Sequence, residues 1–158
     1  ELILAATYLL KEHYDGAWIE KKDGIPRSST MLRNYLIRKS IELMFAGHAA
    51  IENGKCDLVT DRVGYNYDQQ NNFLRYLNGE FNQRGRFPIP EITHVTQADS
   101  KYVEALQVAD QLGRVVTHVV RHPEDAERIL DIFGDALRIQ ILLDSRTFTM
   151  NPDAEKGL

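Results

Sequence analysis

Three aspartates have the type and placement for chemistry: Asp61, Asp99 and Asp110. Asp61 ends an apolar segment with the character of a buried strand, and open parallel sheets place their ligands at such carboxyl ends. Asp99 closes the next strand-like segment and opens a helix. Asp110 lies within that helix, at the edge of a stripe formed by Val103, Leu106, Ala109, Gly113, Val116 and Val120. Carboxylates gathered at strand ends and on a crossing helix make an oxygen cage suited to Mg²⁺ or Mn²⁺. Two such ions about 4 Å apart would activate water and stabilise the leaving oxygen of a phosphodiester. Each residue also has a purely structural reading. Asp61 can begin the turn towards Gly64, Asp99 can cap a helix, and Asp110 can pair with Arg114 one turn on.

Other chemistries find less support. The chain has no glycine-rich phosphate loop, no G-x-G-x-x-G and no G-x-S-x-G elbow. Cys56 is the single cysteine. It falls in a strand-like segment with no histidine beside it, which suits a structural residue better than a nucleophile. His118 and His122 have the i, i+4 spacing of a helical metal pair. They fall at a helix C-terminus, where the dipole favours histidine, and no third ligand is evident. His13, His48 and His94 are isolated in sequence.

The elements that must position these residues follow from periodicity and punctuation. The apolar run Leu2 to Leu10 reads as a strand buried on both faces. Gly16, Gly24 and Pro26 mark residues 11–27 as a loop, with room for an edge strand. A helix is expected from Ser28 or Ser29 to about Asn53, since Leu32, Leu36, Ile37, Ile41, Met44 and Phe45 recur at three- and four-residue steps and Asn53-Gly54 supplies a stop. A strand over Lys55 to Asp61, a helix over about Tyr67 to Asn82 and a strand around Ile92 to Val95 give a right-handed parallel crossover. A helix follows from Ser100 to Arg121, and Pro123 opens a last one reaching about Leu143. The tail from Ser145 has no periodicity.

The segment Thr93-His-Val-Thr-Gln-Ala-Asp-Ser-Lys-Tyr-Val-Glu-Ala-Leu-Gln-Val-Ala-Asp110 resembles the closing motif of the domain of unknown function 3800 family. There a strand leads into Asp-Ser-Lys and a Leu-Gln-x-Ala-Asp helix follows; the pieces here are Asp99-Ser100-Lys101 and Leu106-Gln107-Val108-Ala109-Asp110. Cys56-Asp-Leu-Val-Thr-Asp61 is similar to the family's apolar strand ending in an acid. The likeness spans roughly residues 56–121.

The resemblance implies an α/β fold: a ribonuclease H-like three-layer domain with a mixed sheet, a parallel strand-helix-strand crossover and an extra C-terminal helix. That domain would occupy residues 1–144, with its first strand missing, and 145–158 would be a frayed tail. The resemblance also implies a metal-dependent nuclease site. Asp61 and Asp110 would hold Mg²⁺ or Mn²⁺, with Asp99 a further catalytic acid. Lys101 would contact phosphate and Gln107, one turn before Asp110, would orient it. The family opens with a strand ending Asp-Glu-Ser-Gly, which does not occur here. The expectation is that residues before Glu1 supply the first acids, or that the chain is a catalytically incomplete interaction or scaffold subunit, possibly dimeric.

Charge and composition bear on partners. The net charge is -4, yet Lys21, Lys22, Arg27, Arg33, Arg38 and Lys39 face only Asp23 within residues 21–39. Such a basic run, Arg33 and Arg38 included, can lie along a nucleic acid backbone, or can be an ordinary solvated helix face. A hydrophobic content of 43% fits a globular domain rather than a disordered chain. The longest apolar run is about half of a membrane span. The lone cysteine and the lack of a secretory signal suit a reducing, cytoplasmic setting with no membrane partner.

Overall fold

The computed structural model describes residues 3–9, 29–46, 54–62, 64, 66–84, 89–143 and 146–149. In chain order the elements are β1 (Leu4–Leu9), α1 (Ser29–Phe45), β2 (Lys55–Asp61), α2 (Tyr67–Arg84), β3 (Glu91–Ala98), α3 (Glu104–Arg121), α4 (Ala126–Phe133), β4 (Leu137–Leu143) and β5 (Arg146–Thr149). The chain is an α/β protein. Its described strands form two small sheets rather than one mixed sheet. One has the order β1-β4-β5, the other is the pair β2-β3.

The first sheet pairs β1 with β4 in parallel, from Leu4 opposite Leu137 to Leu9 opposite Leu142. Strand β5 then returns antiparallel to β4. Leu137 and Ile139 are fully buried and pack with Leu112 and Val116 of α3, while Ile129, Leu130 and Phe133 of α4 close over the same cluster. Helix α1 also packs against β1 and β4. Arg138 of β4 donates through Nη1 to the carbonyls of Leu43 and Met44, both at 3.1 Å, and to that of Ala46. A guanidinium among the last carbonyls of a helix satisfies acceptors that have no intrahelical partner and complements the dipole.

The second sheet is the expected crossover: β2, α2 and β3 run in order, with β2 and β3 parallel. Phe73 and Leu77 of α2, Ile41 of α1 and Ile92 of β3 form its buried core, joined by Leu58 and Val95. Asn66 and Gln69 cap α2 reciprocally. The Gln69 N–H donates to Asn66 Oδ1 at 2.9 Å, and the Asn66 N–H to Gln69 Oε1 at 3.0 Å. Asn78, on the inner side of α2, donates to the Ile92 carbonyl at 2.9 Å and accepts the Ile92 N–H at 3.0 Å. Its side-chain amide thus stands in for a neighbouring strand.

Two expectations change. The last helix ends at Phe133 rather than near Leu143, because Gly134 adopts φ +53 and breaks it. Residues 137–143 are the strand β4, whose alternation buries Leu137 and Ile139 on the α3 side. Arg146–Thr149 is a strand as well, because pairing with β4 orders a segment that has no amphipathic period of its own. Helix α1 is described to Phe45, and the rest of the stretch expected to reach Asn53 lies outside the described residues apart from Ala46. No helix among the described residues is long and apolar enough to cross a membrane.

Removing the Asn78 amide would leave the N–H and C=O of a buried strand residue without their partner. Asn78→Ala should cost about 2–6 kcal/mol, at roughly 1–3 kcal/mol for each of the two unsatisfied groups. Urea unfolding followed by circular dichroism measures it. A midpoint equal to wild type would mean that the α2–β3 tie is dispensable.

Candidate functional site

Strands β2 and β3 finish side by side, with Asp61 opposite Ala98. Asp99 follows at once and caps the 3₁₀ turn Ser100–Tyr102, its Oδ1 accepting the Lys101 N–H at 2.9 Å. Asp61 Oδ1 accepts the Arg62 N–H at 2.8 Å and reaches across to the Ser100 N–H at 3.2 Å. Asp61 and Asp99 therefore bind successive N–H groups of one turn, at the carboxyl edge of a parallel pair. The capping role expected of Asp99 holds. The reach of Asp61 into the neighbouring loop was not readable from its own turn.

Gln107 belongs to the same turn in another way. Its Nε2 donates to the carbonyls of Ser100 at 3.1 Å and Lys101 at 3.2 Å, so the amide braces the turn instead of orienting Asp110. Lys101 is exposed, with Nζ over the Tyr102 ring at 5.4 Å from its centroid.

Asp110 stands apart. The buried face of α3 runs through Leu112, Val116 and Val119, not through Ala109 and Gly113. At about 100° per residue, Asp110 is about 200° from Leu112 and so points outward. Its carboxylate is 65% exposed and accepts from Arg114 Nη2 at 3.4 Å, the i, i+4 pair allowed by its spacing. Among the described residues no three His, Cys, Asp or Glu side chains are grouped closely enough to hold a metal ion.

Of the basic run, the described members Arg33, Arg38 and Lys39 are drawn towards the fold. Arg38 is only 3% exposed; it pairs with Glu42 Oε1 at 3.4 Å and lies over the rings of Tyr35 at 5.1 Å and Tyr76 at 5.7 Å. The side chain thus bridges α1 and α2. Arg33 is half-buried, with Nε and Nη2 shielded from solvent, and Lys39 pairs with Glu42 at 2.7 Å. The burial of Arg38 takes it off any surface that could line a phosphate backbone, contrary to expectation, while Arg33 remains partly exposed. Lys21, Lys22 and Arg27 lie outside the described residues.

Two histidine clusters emerge. A register shift at Cys56/Asp57 sets Asp57 opposite His94 and leaves Thr93 as the extra residue of a bulge. Neighbouring residues of a strand normally face opposite ways, and a bulge re-aims them. Here both Thr93 Oγ1 and His94 Nδ1 donate to Asp57 Oδ1, the latter at 3.0 Å. These two hydrogen bonds hold the Asp57 carboxyl below the usual carboxylate range. Burial pushes the Cys56 thiol up, with the Asp57 charge adding to it, so Cys56 is a poor nucleophile. At the end of α3, His118 and His122 stack with ring centroids 4.6 Å apart. His118 Nε2 binds Asp125 at 2.8 Å and His122 Nδ1 binds Glu124 at 3.3 Å, so carboxylates of the next turn partner both rings.

No protein-family model, no curated protein and no solved structure matches the chain.

Two predictions follow from these placements. Arg38→Ala should destabilise the fold by about 2–4 kcal/mol, from a desolvated cation–π contact and a largely buried ion pair. Thermal unfolding tests it, and an unchanged midpoint would return Arg38 to the surface. For Asp57 the folded carboxyl titrates below its unfolded value. Its stabilisation is therefore complete above about pH 4 and is lost as pH falls through the lower folded value. Asp57→Asn should lose less stability than wild type between pH 7 and pH 3 in urea unfolding. Equal losses would show that the bulge cluster carries no linkage.

Proposed function

We propose that the chain is a divalent-metal-dependent, nuclease-like domain of ribonuclease H-like kind, hydrolysing phosphodiester bonds of nucleic acid. One observation carries this reading. Asp61, at the end of β2, and Asp99, just after β3, converge on consecutive N–H groups at the carboxyl edge of a parallel pair, where ligands of open α/β sheets bind. The resemblance to the domain of unknown function 3800 family, through Asp99-Ser100-Lys101 and Leu106-Gln107-Val108-Ala109-Asp110, supports the same reading.

The donor set suits a hard cation. Asp61 and Asp99 each use Oδ1 for backbone N–H groups, and among the described residues Oδ2 of each accepts nothing. Mg²⁺ is commonly held by one or two carboxylates, waters and substrate phosphate. Mg²⁺ or Mn²⁺ bound there would activate water and stabilise a leaving oxygen. Asp61 and Asp99 would hold it, Gln107 would keep the turn rigid, and Lys101 would attract the phosphate. Asp110 would join only after releasing Arg114.

A second reading is a catalytically incomplete interaction or scaffold subunit, possibly dimeric. The outward, Arg114-paired Asp110 favours it, because a solvated carboxylate needs no cation.

Calorimetric titration with Mn²⁺ separates the two. Wild type should bind weakly, with Asp61→Asn and Asp99→Asn each weakening binding by about tenfold or more, since each removes one of few charged ligands. Asp110→Asn decides whether that carboxylate ever joins. Wild type that takes up no Mn²⁺, or Asn variants that bind it as wild type does, would leave the scaffold reading.

A further inference from the structure

We infer that two copies of this chain join through β2, whose outer edge pairs antiparallel with β2 of a second copy, centred on Leu58, in a continuous four-stranded sheet. The inference goes beyond both readings of the Asp61–Asp99 edge, since either kind of protein could be a dimer.

The sheet supplies the first reason. Among the described residues β2 pairs with β3 alone. A strand paired on one side presents a row of unpaired N–H and C=O groups on the other, and two strands by themselves make a marginal sheet. On its far side β3 has Asn78, which takes the N–H and C=O of Ile92. Among the described residues nothing does the same for the far side of β2. The extra residue of the bulge is Thr93 of β3, so β2 is a regular run of seven residues without proline. Its inner face also marks where the core stops. Ile92 of β3 is 2% exposed, whereas Cys56, Leu58 and Thr60 of β2 are only half-buried.

Charge selects the partner and the register. A two-fold axis that joins two such edges stands perpendicular to the sheet. Outer-face residues then oppose outer-face residues, and the register moves in steps of two. Lys55, Asp57, Val59 and Asp61 are the exposed, outer-face residues of β2. Centring the pair on Leu58 engages all seven residues. It sets Lys55 against Asp61 of the second copy at both ends, Asp57 against Val59, and Cys56 against Thr60. Leu58 meets its own copy on the inner face and extends the core that it borders. Opposite charges facing each other across antiparallel strands attract, and like charges repel. Centring on Asp57 would set Asp57 against itself, and centring on Val59 would set Asp57 against Asp61 twice. Thus β2 is complementary to itself in the one register that uses its whole length, and this identifies a second copy as the occupant.

Sedimentation equilibrium over about 1 µM to 1 mM protein tests the pairing. Wild type should dimerise. Lys55→Glu and Asp61→Lys should each weaken the dimer by roughly tenfold or more, because each turns two cross-strand attractions into repulsions. An equimolar mixture of the two variants should recover the affinity as a heterodimer, and so should the swapped chain Lys55→Glu/Asp61→Lys. Circular dichroism checks that each variant folds. Hydrogen exchange tests the same edge in wild type with no substitution: amides of β2 should exchange more slowly as protein concentration rises. A wild type that stays monomeric, a dimer that folded variants leave unchanged, a mixture no tighter than either variant alone, or β2 amides indifferent to concentration would each overturn the inference. None of these results bears on Mn²⁺ binding, so the reading of the carboxylate edge stands or falls separately.

Discussion

The parallel pairing of β2 with β3 is the constraint on which the rest of the candidate edge depends. Parallel strands cannot be joined by a tight turn, so the chain must cross over, and α2 is that crossover. The crossover brings both carboxyl ends to one edge and with them the residues that follow each strand. Asp61 and Asp99 become neighbours for that reason, although a whole helix lies between them in sequence. A two-stranded parallel sheet is poor in partners for its outer backbone groups. The Asn78 amide meets part of that need at Ile92, and the bulge beside Ile92 gathers Thr93 and His94 onto Asp57.

Cations inside the fold act on geometry rather than on ligands. Arg138 projects from a strand whose flanking residues are fully buried and ends among the carbonyls at the end of α1. Arg38 leaves α1 on the side of α2 and is enclosed by two tyrosine rings and Glu42. A guanidinium suits both places because it stays charged, is weakly hydrated, and offers several donors in one plane. Counting charge along the chain treated Arg38 as surface. The three-residue spacing of Tyr35 and Arg38, and the tyrosine on a second helix, mattered more than the count.

Periodicity made much of the fold legible. The strands β1, β2 and β3 and the helices α1, α2 and α3 each have a hydrophobic period or a turn signal of their own, and within the described residues each overlaps the span those signals give, with α3 starting at Glu104 after a 3₁₀ turn rather than at Ser100. The C-terminal part was misread because Leu137, Ile139 and Ile141 extend the apolar character of α4 without a clear change of period. Gly134 was the available signal: a glycine after Phe133 with β-branched residues beyond it is a helix stop. The site was legible in part. Asp99 announces itself as a cap and Asp61 as a strand end, but the phase of α3 was taken one step wrong. A stripe through Ala109 and Gly113 puts Asp110 near the core. The observed stripe through Leu112, Val116 and Val119 turns it outward, and small residues such as Ala109 and Gly113 carry little weight in setting phase. The Asp57–His94 cluster had no sequence signal, because only the bulge brings those side chains to one face.

Capping explains Asp99 fully and Asp61 only in part. One carboxylate suffices for a three-residue turn, and Asp99 already supplies it. Asp61 adds a second negative group from another strand to the next N–H of the same turn. Like charges brought together repel, and because both residues are exposed, water screens most of that repulsion. Backbone N–H groups offset part of what remains, and among the described residues they engage Oδ1 of each. The convergence of two carboxylates on one turn, more than the presence of three aspartates in one stretch of sequence, is the observation on which the proposed reading of this edge rests.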